Sequence, residues 1–224
     1  MKNVLITGCS RGLGAAIVQE LLTRDCSVIP HFRSEGSYIN LHKTPNIVLG
    51  DISEQSTINK IADSLREYDI DVYINNAAVY KHKSFTEYSE QDIADIININ
   101  LTSQILAIQR VYDWFLEKGA GLIININSIA GIQPSPGETI YSATKHGMRG
   151  FSQSLQIESL GTNIRIVDIF PGGMKTDMTV NRDSFDQLIE PIEVSKRICN
   201  IVMSENITSL ETEVVIRKFI QSEF

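Results

Sequence analysis

Disulfide chemistry has little to work with in this chain. Its three cysteines, Cys9, Cys26 and Cys199, are an odd and scattered set. They match neither a disulfide framework nor a metal site. That points to a reducing compartment, and no metal is expected. Positive charge is also scarce: 20 Lys and Arg stand against 27 Asp and Glu, for a net charge of −7. Without a basic stripe to hold a polyanion, nucleic acid is not an expected partner. No apolar run approaches the roughly 18 residues of a membrane-spanning helix. Met1 leads within three residues into the first apolar run, which leaves no room for a signal peptide. A cytoplasmic location without a membrane partner is therefore the expectation. Asn100-Leu101-Thr102 and Asn206-Ile207-Thr208 match the glycosylation sequon, but that carries little weight without a secretory signal.

What is present suits a soluble globular fold. With 42% hydrophobic and 21% charged residues over 224 positions, composition fits one α/β domain better than two small ones. A chain of this size buries roughly 70–75% of its surface on folding. Short apolar runs alternate with helical periodicities along its whole length. Strands are expected at 3–7, 27–32, 46–50, 71–75, 122–127, 163–169 and near 213–217. Helices are expected over about 12–24, 54–67 (with Ser53 as its N-cap), 89–118, 141–160 and 191–204. Gly119 and Gly121 punctuate the end of the long fourth-strand-to-fifth-strand helix. Residues 33–45 and 174–190 are polar and weakly patterned. Strand–helix alternation of this kind predicts βαβ units and a mostly parallel seven-stranded sheet covered on both faces. Ligands in such sheets bind beyond the carboxyl ends of the strands.

Two stretches at such ends carry chemistry. Thr7-Gly8-Cys9-Ser10-Arg11-Gly12-Leu13-Gly14 joins the first strand to the first helix. Gly8 permits a tight turn, Gly12 lets backbone approach a phosphate, and Gly14 allows close helix–strand packing. The helix N-terminus adds free N–H groups and a positive dipole end. A bare glycine-rich turn is the bland alternative. The same residues contain G-x-S-x-G, the nucleophile elbow of an α/β hydrolase. That reading fails because the elbow would sit at residue 10, before the other strands, and none of His31, His42, His82 and His146 lies in the last third of the chain. The second stretch is Tyr141-Ser142-Ala143-Thr144-Lys145. On a helix, Tyr141 and Lys145 share a face one turn apart. A nearby ammonium favours phenolate and would lower the tyrosine pKa from roughly 10, so the pair could move a proton near neutral pH. By itself the spacing also fits an ordinary solvated helix.

Taken in order, these and further motifs resemble the short-chain dehydrogenase/reductase family. The glycine loop matches T-G-x-x-x-G-x-G. Asn75-Asn76-Ala77-Ala78 resembles N-N-A-G, and Asn100 in Ile-Asn-Leu-Thr matches a mid-helix asparagine. Gly121 to Ser128 matches the fifth strand and its serine. Tyr141 follows Ser128 by thirteen residues, and Lys145 completes Y-x-x-x-K. Pro171-Gly172 with Thr176 matches P-G-x-x-x-T. The matches run from residue 4 to about 176. Each is weak alone, whereas the ordered set is specific.

The resemblance implies one Rossmann-type domain over 1–224, doubly wound and three-layered. It also implies hydride transfer between a nicotinamide cofactor and a carbonyl/alcohol pair. Ser128 would hold the substrate oxygen, and Tyr141 would give or take its proton. Lys145 would lower the tyrosine pKa and hold the nicotinamide ribose, while Asn100 would hold a water linking Lys145 to solvent. The cofactor would lie along Gly8, Ser10, Arg11, Gly12, Leu13 and Gly14. It would continue past Arg33, the adenine-contacting pair Asp51-Ile52, and Asn76, Ala77 and Ala78, to Tyr141, Lys145, Pro171, Gly172 and Thr176. The second strand places Phe32 where NAD binders keep an acid, with Arg33 after it. Two arginines, Arg11 and Arg33, and no acid favour NADP(H), with NAD(H) as the alternative. The bland reading of each arginine is a solvated surface charge.

The substrate side of the site would include Ser128, Gln133, Tyr141 and Gly172, with Pro134, Thr139, Gly173 and the 177–190 loop lining it by position. Asn181, Arg182, Asp183 and Asp186 in that loop slightly favour a polar substrate. Departures from the pattern are Ala78 for glycine, a short 33–45 segment and a C-terminus without the usual glycine pair. A homodimer or homotetramer is implied through the helices around 89–118 and 141–160. The small residues Ala143, Gly147 and Gly150 would permit close packing there, but they equally suit packing on the sheet. Two other functions stand beside this one: a non-catalytic dinucleotide sensor or partner-binding protein on the same fold, and a sugar-nucleotide epimerase or dehydratase. The complete set of polar residues argues against the first. Only some 50 residues after Thr176 argue against the second.

Overall fold

Seven strands, all paired in parallel, form one sheet in the computed structural model, which describes residues 1–35, 46–182, 184–204 and 211–219. In chain order they are β1 (Asn3–Ile6), β2 (Ser27–Phe32), β3 (Val48–Leu49), β4 (Val72–Asn75), β5 (Gly121–Ile126), β6 (Ile164–Pro171) and β7 (Glu213–Ile216). The helices are α1 (Gly12–Leu22), α2 (Gln55–Glu67), α3 (Glu90–Ile97), α4 (Ser103–Lys118), α5 (Thr139–Glu158) and α6 (Pro191–Met203). The spatial order is β3-β2-β1-β4-β5-β6-β7. Strand order therefore reverses between β1 and β4, and a crevice opens at their carboxyl ends.

Alternation along each strand builds the three layers. Val4 and Ile6 of β1 join a buried cluster with Ile17 of α1 and Ile198 of α6. Leu5 points the other way, into a cluster with Ile61 of α2, Val111 and Phe115 of α4 and Met148 of α5. A period of two thus feeds both faces, and each fully buried Leu, Ile or Val is worth about 1.5–3 kcal/mol.

Local chemistry sets the helix ends. Ser89 and Asp92 form a capping box at α3: Asp92 N–H donates to Ser89 Oγ at 3.0 Å and Ser89 N–H to the Asp92 carboxylate at 3.2 Å. Gly119, at φ +83°, ends α4. Gly121 instead belongs to β5. A Cβ there would sit 2.1 Å from the Phe115 ring, so the strand and α4 meet only over a glycine.

Several expectations shift. The long helix expected over 89–118 is interrupted by a π-helical turn, Asn98–Thr102, which carries Asn100. Ser53 does not cap α2; its N–H and hydroxyl both donate to Asp51 Oδ1, at 2.9 and 2.7 Å, and α2 starts after Glu54. The local bond to an aspartate two residues earlier sets the orientation of the serine, in place of a cap. The sixth strand runs on to Pro171, where Gly172 N–H still donates to Ile216 O at 2.8 Å. The base of the weakly patterned 174–190 segment is pinned by paired backbone bonds between Gly173, Lys175 and Ile189, at 2.9 and 3.0 Å. Most of the 33–45 segment, the C-terminal five residues, Asn206 and Asp183 lie outside the described residues.

Candidate active site

The crevice at the β1/β4 switch is a cleft of about 590 Å³. Its floor is the glycine loop. Gly8 sits at φ +73°, and a Cβ there would lie 2.8 Å from Ala77 Cα. At Gly14 a Cβ would fall 2.2 Å from Gly8 O. Both positions therefore require glycine. Thr7 and Asn76 weld this loop to the end of β4. Thr7 Oγ1 accepts from the N–H groups of Asn76 (2.9 Å) and Ala77 (3.0 Å), and Asn76 Nδ2 donates to Thr7 O at 2.8 Å. No side chain caps the start of α1, and no acid lies in its first turn. Its dipole end is thus open to an anion.

Most residues predicted for the cofactor line this one cleft: Ser10, Arg11, Gly12 and Leu13 with the two glycines; Arg33, Asp51 and Ile52 at the β2/β3 side; Asn76, Ala77 and Ala78 after β4; and Tyr141, Lys145 and Thr176 at the far end. Pro171 and Gly172 fall instead on an adjoining cavity of about 200 Å³, with Ser128 and Tyr141. The Arg11 guanidinium lies 3.1 Å from Asp177, a pair about two-thirds exposed at both ends and so worth little. The Asp51 carboxyl is held below its usual range. Burial works against this, and the two Ser53 hydrogen bonds and the charge of Arg33 outweigh it.

His31 is a cleft residue that sequence reasoning missed. Gly8 N–H donates to its Nδ1 at 3.2 Å, so Nε2 carries the proton and donates to Gly50 O at 2.8 Å. Burial lowers the imidazole pKa, and the ring is a neutral brace between the glycine loop and the end of β3. No spacing signal marks it, because its partners are backbone atoms brought in by the sheet.

At the other end of the cleft, α5 carries Tyr141 and Lys145 on one face, as the spacing predicts. Tyr141 shares the smaller cavity with Ser128, which lies close enough to pull on its phenol. The Lys145 ammonium lies 5.6 Å from the centre of the tyrosine ring and donates to Ile126 O at 2.8 Å. The expected lowering of the tyrosine pKa is not what this packing gives. Burial pushes the Tyr141 phenol up to about 12, against the downward pull of Ser128. Burial also draws the Lys145 ammonium down to about 8, opposed by the charge of Asp168. Desolvation, rather than the neighbouring cation, dominates the pair.

Asn100 is buried behind this wall rather than on the cleft. Its amide bonds one residue at both ends: Oδ1 accepts from Val79 N–H and Nδ2 donates to Val79 O, both at 2.8 Å. The side chain thereby holds the chain that follows Asn76-Ala77-Ala78. Gln133 and Thr139 are exposed, and neither lines either cavity. The smaller cavity is walled instead by Tyr80, Glu138 and Arg182. Arg182 Nη2 donates to Glu138 Oε1 at 2.6 Å and to Tyr80 Oη at 2.7 Å, while Tyr80 Oη donates to Glu138 Oε1 at 2.8 Å. The Tyr80 ring meets the Tyr141 ring edge-on, with centroids 5.1 Å apart. Among the three, only Arg182 stood out in the sequence, as one of several polar residues in its loop.

A parallel sheet with a glycine cradle at its switch point, leading to a serine, a tyrosine and a lysine able to handle a proton, defines a Rossmann-type oxidoreductase. The chain belongs to the short-chain dehydrogenase family, whose profile matches residues 2–187. It is 32% identical over 186 residues to the 3-oxoacyl-[acyl-carrier-protein] reductase FabG of Haemophilus influenzae, covering 80% of this chain and 76% of that one. It is 30% identical over 230 aligned positions to the ketoacyl reductase HetN of Nostoc sp., covering 97% and 79%. Among solved structures, serine dehydrogenase from Escherichia coli superposes with a TM-score of 0.84 at 25% identity, covering 96% of each chain. Among the described residues no helix is long and apolar enough to cross a membrane.

Proposed function

We propose that this protein is an NADP(H)-dependent oxidoreductase that interconverts a carbonyl and an alcohol, with Tyr141 as general acid/base. One observation carries the reading: Tyr141 lies on the boundary of both cavities, so a cofactor in the larger and a substrate in the smaller would meet at its hydroxyl. The larger cleft suits a dinucleotide in size, and its glycine cradle and uncapped α1 suit a pyrophosphate. The chemistry a nicotinamide dinucleotide supplies when bound is hydride transfer to or from carbon. Gly8 to Gly14 and Asn76 to Ala78 would bind its phosphates and ribose. Arg11 and Arg33, on a cleft with Phe32 in the place of an acid, would neutralise a 2′-phosphate.

The chain's own groups handle the proton. Ser128, on the same cavity as Tyr141, orients a substrate oxygen beside the phenol. With its pKa pushed up to about 12, Tyr141 is protonated at neutral pH and starts as an acid. That is the form carbonyl reduction uses, and reduction is the direction in the names of FabG and HetN. Lys145, charged at pH 7 with a pKa near 8, stabilises the phenolate left behind. Asn100 keeps the intervening wall in place through Val79.

The Tyr80–Glu138–Arg182 wall supports a compact polar substrate over a long acyl chain. We also read a homodimer or homotetramer from exposed Leu106 and Leu116 on α4 and exposed Ile157 on α5.

The test is Tyr141→Phe assayed by NADPH absorbance on a panel of carbonyls. Turnover should fall by about 10²-fold or more, with NADPH affinity retained. Near-normal turnover would remove Tyr141 from the mechanism.

A further inference from the structure

Most of β6 is apolar, yet its centre holds a carboxylate. Asp168 is fully buried, with Val167, Ile169 and Phe170 on either side of it in the chain. It pairs in register with Asn125 of β5. Its Oδ1 accepts from Asn125 Nδ2 at 3.0 Å and its Oδ2 from Asn127 Nδ2 at 3.3 Å. The Ser152 hydroxyl of α5 joins the network, accepting from the same Asn125 Nδ2 at 2.9 Å. Asn75 of β4 extends the network through Asn125 Oδ1 at 3.2 Å. An ionised carboxylate placed here pays a large desolvation cost unless its surroundings use it.

The surroundings lead to the site. Asn127, fixed by Asp168 through its Nδ2, turns its Oδ1 to accept from the N–H of Ser128 at 3.0 Å. Ile126, between the two asparagines, accepts from Lys145 at 2.8 Å. The charged groups facing Asp168 are Lys145 and Arg149 of α5 and Glu213 of β7. Arg149 is already spent on Glu213, to which it is bidentate at 2.7 and 2.8 Å. Among the described residues, Lys145 is buried and in ion-pair contact with no carboxylate.

We propose that Asp168 is a positioning residue for the proton-handling site: it orients Ser128 through Asn127 and acts as the buried counter-charge of Lys145. The proposal rests on the reading of Tyr141 and Lys145 given above. Burial raises the Asp168 carboxyl to about 6, opposed by Ser152, Asn125 and Asn127. Asp168 is therefore mostly ionised at pH 7 and supports the Lys145 ammonium, and it loses that role as pH falls through about 6.

The experiment titrates Lys145 directly. Lysine methyl-labelled protein is followed by NMR from pH 6 to 11 in the wild type and in Asp168→Asn, with Lys145→Met identifying the signal. In Asp168→Asn the Lys145 titration should move down by about one unit, a tenfold change in proton affinity. The alkaline limb of kcat/KM should move with it, while the KM for NADPH stays within about twofold. An unmoved lysine titration overturns the counter-charge role even if the enzyme proves to use other chemistry, because that signal needs no turnover. Asn127→Ala tests the other half: kcat should fall about tenfold with substrate KM little changed, and unchanged kcat overturns the link to Ser128. Asp168→Ser is the second variant should Asp168→Asn fail to fold. Loss of fold in both would overturn positioning in favour of a purely structural carboxylate.

Discussion

The side-chain amide of Asn100 clasps the peptide groups of Val79 at both ends, accepting from its N–H and donating to its carbonyl at 2.8 Å each. Asn100 stands on the π-helical turn between α3 and α4; such turns widen a helix by one residue and gather at functional sites. Val79 lines the cofactor cleft. Asn100→Ala would leave two partly buried backbone groups of Val79 without these partners, at up to about 1–3 kcal/mol each. We expect a fall in melting temperature together with a rise in the KM for NADPH. Asn100→Asp, which keeps the acceptor and loses the donor, should fall between. A kinetic loss without any loss of stability would point to a water-holding role for Asn100 instead.

The alkaline limb of activity should reflect Lys145. Its pKa of about 8 is depressed from 10.5, so the charged form is lost as pH rises through 8, while Tyr141 stays protonated up to about 12. Reduction should slow above about pH 8, by up to tenfold per unit. Stability has the opposite sign. A lysine whose folded pKa is depressed costs stability while it is charged, and that cost disappears as pH climbs from about 8 to 10.5. Lys145→Met should therefore abolish turnover yet raise the melting temperature at pH 7. Paired activity and melting measurements over pH 6–10 check both signs.

In the function proposed above, cofactor choice would turn on Arg11 and Arg33. Arg11 is spread between Asp177 and solvent, and Arg33 lies beside Asp51 at the β2/β3 side of the cleft. Arg33→Asp should lower the ratio of NADPH to NADH catalytic efficiency by at least about tenfold, since it swaps attraction for a 2′-phosphate into repulsion. The preference itself fails if the wild type is more efficient with NADH.

Arg182 ties the 174–190 segment to Glu138 and Tyr80 across the smaller cavity. Glu138 is buried, while Arg182 is about one-third exposed. Solvent screening keeps the pair's contribution to stability to the order of 1 kcal/mol. Arg182→Met should therefore shift the melting temperature only slightly. Its main effect should be kinetic: a several-fold higher KM for polar carbonyls, a smaller change for apolar ones, and an altered environment for Tyr141 through the Tyr80 ring. Equal losses across the panel would rule out a role in substrate choice.

Sequence alone determined the alternation of strands and helices. Apolar runs with a period of two or 3.6 report which side chains must leave water, whatever the partners. It also determined the glycine loop and the order of Ser128, Tyr141 and Lys145, because backbone clashes and helical spacing are local constraints. The exchange of roles at Ser53, the π turn under Asn100 and the exposure of Gln133 were not legible. Each depends on which of several local hydrogen bonds the packed chain allows. Only the tertiary structure placed His31 between Gly8 and Gly50, closed Tyr80, Glu138 and Arg182 around one cavity, and set Asp168 behind Lys145. These partners are separated by 19 to 102 residues and meet because the sheet orders its strands as it does. The sign of the Tyr141 shift was decided there too. Charge spacing can be read from a sequence, but desolvation belongs to the packed site.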